Sequence, residues 1–235
     1  MDGHRAALIT LSIAFEFAGI CLTIYAILSS SWQIVDLDNS MHEHGLWLDC
    51  ILQNKNRNFT FSEFTRCYYK FDFDRNYGNF DPEYLASAEV GRHRFFGWHK
   101  AVIIILCVSL CTGIFSILNG VLNLVVLCIG LCLPRLSELC SLAFTLMFAV
   151  TVLLTTIFSC ASEIVFYWFA SKPQNKFIGN IDKIEQKFGF AFYLQLLASL
   201  MNLLALIFSL VAAGRVYYQW KHRRRSSAQR IYLRY

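Results

Sequence analysis

Charge is what this chain has least of: only 16% of its 235 residues are Asp, Glu, Lys or Arg, against roughly 25% in a soluble domain. That deficit excludes water as its main solvent. Also missing are a metalloprotease helix motif, a phosphate-cradling glycine loop and a nucleophile elbow, so neither catalysis nor a metal or other cofactor is expected. The apolar segments carry no row of polar residues, which argues against a lipid-modifying or transport enzyme. Nucleic acid is not expected among the partners.

What remains is apolar. Hydrophobic residues make up 56% of the chain, and they gather in blocks longer than the ~18 residues that a ~30 Å hydrocarbon core demands. The first block, Ala6 to Leu28, contains a single charge, Glu16. The second runs from Ala101 to Leu133, about 50 Å as a straight helix, which overshoots a bilayer. A span at 100–125 is therefore expected, with 126–138 a cytoplasmic connection in which Pro134 breaks the helix. The third block gives a span at 139–170 and the fourth one at 188–213. The first exceeds the ~7 to 15 residues of a signal-peptide core and follows a weakly basic flank, so it reads as a span.

A backbone in lipid must satisfy its own hydrogen bonds, and runs of this length exclude the alternating strands of a barrel. The expected fold is an all-α membrane protein, a four-transmembrane-helix bundle with a small antiparallel β-sheet in the first extracellular loop. Between Gly214 and Tyr235 there are seven basic residues and no acid, which places this tail, and with it residues 1–5, in the cytoplasm. The loops at 29–99 and 171–187 are then extracellular or lumenal, although the second carries Lys172, Lys176, Lys183 and Lys187.

Two features of the first loop agree with that orientation. Asn58-Phe59-Thr60 is a glycosylation sequon, usable only in the secretory lumen. Of nine cysteines, only Cys50 and Cys67 lie outside the expected spans and their cytoplasmic ends, and an isolated pair in an oxidising compartment reads as a disulfide. Tyr69, Phe71 and Phe73 alternate with Lys70, Asp72 and Asp74 at the period of a half-buried strand, and Phe59 and Phe61 repeat the pattern. Asp81-Pro82-Glu83 has the form of a helix start.

Trp32 beyond the first span, then Gly45-Leu46-Trp47, Cys50 and Cys67, together resemble the first-loop signature of the claudin superfamily. That superfamily includes claudins, the peripheral myelin protein group and the gamma-type auxiliary subunits of channels and receptors. Arg92 or Arg94 ahead of the second span matches an arginine of the same pattern. The interval between the two cysteines is longer than in claudins, and only Phe166, Tyr167 and Pro173 echo the second-loop motif. Within the superfamily the chain looks most like divergent invertebrate proteins of the nematode Clc-like kind. The resemblance implies that the first loop forms a sheet continuing the bundle, held by the disulfide and anchored at the membrane face by its tryptophans.

Glu16 at mid-span must be protonated or paired inside the bundle, with Asn119, Asn123 and Asn202 as candidate partners. His42 and His44 share a face at a spacing compatible with zinc, but two ligands in a loop read better as solvated residues. Ala205, Ser209 and Ala213 form a small-residue stripe suited to close helix packing within the bundle. Cys128, Cys132 and Cys140 lie where reversible palmitoylation occurs, or are small apolar filler. Ser226 and Ser227 follow Arg223-Arg224-Arg225, a pattern suited to a basophilic kinase.

Two functions follow as expectations. One is a plasma-membrane adhesion or barrier protein at cell junctions, pairing with copies or related tetraspans in the same and opposing membranes. The other is an auxiliary subunit on a channel or receptor. Eight basic and ten acidic residues at 29–100 are too balanced to set an ion selectivity. Membrane lipids are partners in either case, and the end Leu233-Arg234-Tyr235 offers a weak PDZ-type scaffold contact.

Overall fold

The computed structural model describes residues 2–37, 40–53, 64–71, 95, 97–130, 134–172 and 186–232. Four helices carry the expected fold: α1 (Asp2–Leu28), α2 (Gly97–Gly130), α3 (Pro134–Ala170) and α4 (Phe190–Tyr232), each long and apolar enough to cross a membrane. Their lengths of 27 to 43 residues correspond to about 40 to 65 Å, so all exceed a ~30 Å core. Pro134 does not merely stop α2. It opens α3, the helix position where a missing N–H costs nothing. The basic segment continues α4 as helix through Tyr232.

Between α1 and α2 lie β1 (Gln33–Leu37), β2 (Ser40–His44), β3 (Leu48–Gln53) and β4 (Phe64–Tyr69). A fifth strand, β5 (Gln186–Phe188), comes from the second loop. The sheet is antiparallel throughout, in the order β4-β3-β2-β1-β5. Sequence pattern placed the sheet in the first loop alone, because a three-residue strand is too short to show a period. Gln33 pairs with Phe188, and the N–H groups of Gly189 and Ala191 donate to the carbonyls of Trp32 and Ser31 at 2.9 Å.

The chain divides into two compact units. A helix-only unit comprises Met1–Cys21, Val108–Phe158 and Ala198–Tyr235, and a sheet-bearing unit comprises Leu22–Cys107 and Ser159–Leu197. The core of the first is built on Ile9, Phe148, Val152, Ala205, Leu206 and Ala212. That of the second is built on Trp32, Leu46, Val102, Leu106, Phe166 and Phe192.

On the helices large apolar side chains face outward, as Phe17, Ile104 and Ile164 do at 59%, 63% and 66% exposure. Small polar ones face inward. Ser12, Ser109, Ser116, Thr145, Thr155, Ser159 and Ser209 are all buried. The spans therefore do hold arrayed polar residues, contrary to the reading above. The reason is chemical: hydroxyls can bond their own helix one turn back, as Thr145 does to the Ser141 carbonyl at 2.6 Å and Thr156 to that of Val152 at 2.9 Å. Such residues enter lipid as spacers rather than as exposed polar groups. Ala205, Ser209 and Ala213 are buried in this manner, and Ser12 Oγ donates to the Ala205 carbonyl at 2.7 Å. The stripe packs within the protein.

Candidate functional site

In the sheet-bearing unit a buried polar network grows out of the Gly-Leu-Trp triplet, which turns the chain from β2 into β3. A Cβ on Gly45 would collide with the Leu48 carbonyl oxygen and crowd the backbone of Ser29 and Ser30, so only glycine fits. The Gly45 N–H donates to the Leu48 carbonyl at 3.0 Å and to Asp49 Oδ1 at 3.1 Å. Leu46 is fully buried in the core.

Asp49 organises the network. Its Oδ1 lies 3.3 Å from Lys70 Nζ, and its Oδ2 lies 3.5 Å from His44 Nδ1. Lys70 Nζ also donates to the Gly45 carbonyl at 2.7 Å and sits 3.4 Å from His99 Nε2 at the start of α2. Asp49 and Lys70 are each 1% exposed. Burial holds the Lys70 ammonium below its ordinary range, and the Asp49 carboxylate pulls it partly back. A desolvated pair of this kind adds little net stability, yet removing one member strands the other.

The alternation reading put Lys70 on the solvent side of a strand and its aromatic neighbours inside. The reverse holds: Tyr69 and Phe71 are 54% and 50% exposed. β4 ends at Tyr69, and Lys70 leaves the pleat to reach Asp49. No pattern in sequence marks Asp49, Lys70 and His99 as neighbours, because they come from three separate segments.

Cys50 and Cys67 are directly opposite in the β3–β4 register and form the disulfide, with Cα atoms 4.1 Å apart. The bridge closes the outer strand of the sheet onto its neighbour.

Trp32 departs from its expected role as an interfacial anchor. Its indole is fully buried, lies 4.7 Å from the Phe166 ring, and donates through Nε1 to the Ala26 carbonyl at 2.7 Å. That carbonyl is in the last turn of α1, where acceptors lack helical partners. Trp32 is thus the plug that joins α1 to the sheet, and Phe166 of the second-loop echo is its packing partner. Trp47 is half-buried. His42 and His44 are also buried, with ring centroids 6.4 Å apart, rather than in a solvated loop. Among the described residues no three His, Cys, Asp or Glu side chains gather to hold a metal.

In the helix-only unit Arg5 forms a clamp. Its guanidinium donates to Asn123 Oδ1 at 3.0 Å and to the Ser141 carbonyl at 3.2 Å, and bonds the Ser141 and Thr145 hydroxyls. Glu16 is fully buried, and of its expected asparagine partners Asn119 and Asn123 bond elsewhere through their side chains, while the Asn202 side-chain oxygen lies against Gly19 of α1. Asn123 donates to Thr145 Oγ1 at 3.1 Å, and Asn119 to the Phe115 carbonyl at 3.0 Å. Asn202 accepts Thr156 Oγ1 at its backbone carbonyl at 3.2 Å.

Cys128 is exposed on α2. Asn58, Phe59, Phe61, Phe73, Asp81, Arg92, Arg94, Cys132 and Pro173, and the side chains of Cys140, Ser226 and Ser227, lie outside the described residues.

A protein-family model described as Clc-like matches residues 6–222 of this chain. Among curated proteins the chain is similar to Clc-like protein 5 of Caenorhabditis elegans, 28% identical over 201 residues, covering 80% of this chain and 63% of that protein. The chain therefore spans less than two thirds of that relative's length.

Proposed function

This chain belongs to the Clc-like family of claudin-like tetraspan proteins, and from that premise we propose that it is a non-catalytic plasma-membrane protein of cell–cell contacts. Its extracellular sheet is the working surface, engaging copies of itself or related tetraspans. One observation carries the reading: β4 is the last strand in the sheet order, and it presents Tyr68 and Tyr69, with Phe71 just beyond, at 41%, 54% and 50% exposure. A terminal strand with outward aromatics is suited to pairing with another chain, and the disulfide holds that strand rigid for the purpose.

In this arrangement both termini are cytoplasmic, Asn58 carries a glycan, and the basic end of α4 rests on anionic lipid. The test mixes cells expressing the full chain with cells lacking it. Enrichment only where two expressing cells meet supports adhesion. An even distribution overturns it, and retention inside the cell until a channel or receptor is co-expressed replaces it with the auxiliary-subunit role.

A further inference from the structure

A buried ammonium has three protons to place, and Lys70 places them where the sheet meets α2. Its Nζ donates to the Gly45 carbonyl at 2.7 Å, lies 3.3 Å from Asp49 Oδ1 and faces His99 Nε2 at 3.4 Å. The first two acceptors belong to the sheet, one at the β2–β3 turn and one on β3. The third belongs to the first turn of α2, so Lys70 fastens the sheet to that helix.

An ammonium offers no lone pair. His99 must therefore accept at Nε2, which requires a neutral ring with its hydrogen on Nδ1. A second proton on the ring would remove that acceptor and set an imidazolium against the ammonium, with Lys70 1% and His99 5% exposed. The first turn of α2 adds to the opposition, since its unpaired N–H groups favour negative charge.

Among the described residues the ionisable groups facing His99 are Lys70, Asp49 on β3 and His44 on β2. Asp49 is already shared: Oδ1 takes the Gly45 N–H and Lys70, and Oδ2 lies 3.5 Å from His44 Nδ1. A proton on His44 is thus met by a carboxylate, whereas one on His99 is met by a lysine. His42, the other histidine of β2, has its ring 6.4 Å from that of His44.

We propose that the Lys70–His99 contact is an acid-sensitive latch, in which protonation of His99 releases the start of α2 from the extracellular sheet. Once released, the ring titrates at its ordinary value of 6.5. Below that pH the open form binds one proton more than the closed form, so opening gains up to about ten-fold per unit of pH. The latch is independent of the adhesive role. Its consequence, loss of the working surface in an acidified compartment, rests on that reading.

The test is hydrogen exchange of the full chain in lipid nanodiscs between about pH 8 and pH 5, corrected for the intrinsic rate at each pH. Two amides report on the latch: that of Gly45, bonded to the Leu48 carbonyl and Asp49, and that of Lys70, bonded to the Trp47 carbonyl at 2.8 Å. Their protection should fall below pH 6.5, while that of residues 108–158 in the helix-only unit stays constant. His99→Gln keeps a side-chain acceptor for Lys70 but cannot titrate, and should abolish the fall. Constant protection in the unaltered chain across the whole range overturns the latch. So does an equal fall in His99→Gln, which would assign the titration to another group such as His44. Should His99→Gln fail to fold, deuterium uptake at the His99 ring carbon of the unaltered chain gives its titration directly. A midpoint below 6.5 that coincides with the loss of protection supports the latch, and a midpoint at or above that value overturns it. Exchange is read on the isolated protein, so none of these outcomes depends on whether the chain mediates adhesion.

Discussion

In the sheet-bearing unit the buried carboxylate of Asp49 meets a lysine, a histidine and a backbone N–H. In the helix-only unit the equally buried Glu16 faces the hydroxyls of Ser116 and Thr155 and no basic side chain. The first arrangement is closed, since each strong group answers another and what it specifies is the path of the chain from β2 through Lys70 to α2. The second has no counter-charge: hydroxyls from two neighbouring helices are what its carboxyl meets, an arrangement suited to helix contact in lipid.

The contrast can be broken at Lys70. Lys70→Met leaves Asp49 short of its cation and should cost about 3–5 kcal/mol, read as a lower unfolding temperature in detergent and reduced surface abundance. Lys70→Met combined with Asp49→Asn, which keeps the acceptor for the Gly45 N–H, should recover much of that loss. A purely additive pair would show that the two side chains are not coupled. Next in size, Cys50→Ala should cost about 2–4 kcal/mol, with faster hydrogen exchange in β3 and β4 and none of the effect in residues 108–158.

Arg5→Ala should show the opposite distribution. Loss of the half-buried guanidinium's bonds to Asn123, Ser141 and Thr145 should cost about 1–3 kcal/mol, with faster exchange near Ser141 and β3 unchanged. The smallest effect is that of pH. Lys70 is held below the ordinary lysine value of 10.5 when folded, so between its folded value and 10.5 the unfolded chain binds more protons. Stability of the sheet-bearing unit should therefore rise with pH through that window, by at most about 1.4 kcal/mol per unit, and level off above it. Lys70→Met should remove the slope, and a slope that persists would assign it to another group.

The spans and the Cys50–Cys67 pair were readable along the chain, and Gly45 was readable as part of a family signature though not as a turn. The first two are written in the sequence itself, as a run of apolar residues and an isolated pair of thiols. Trp32 was readable as important but misassigned. An indole next to a span suggests the interface, and nothing nearby in sequence announces that Phe166 and the Ala26 carbonyl wait to enclose it. Lys70 was misplaced for a related reason, since alternation predicts the face of a residue only while the strand lasts.

Sequence alone determined the number of spans and the presence of a stapled sheet, because hydrocarbon thickness and thiol chemistry act on segments that are contiguous or few. Tertiary structure alone decided which groups meet: β5 joining the sheet from the second loop, Lys70 finding Asp49 and His99, and the Ser116 and Thr155 hydroxyls facing Glu16. Helices and strands orient side chains by local geometry, but a partner on another segment is chosen only when packing brings the two backbones together.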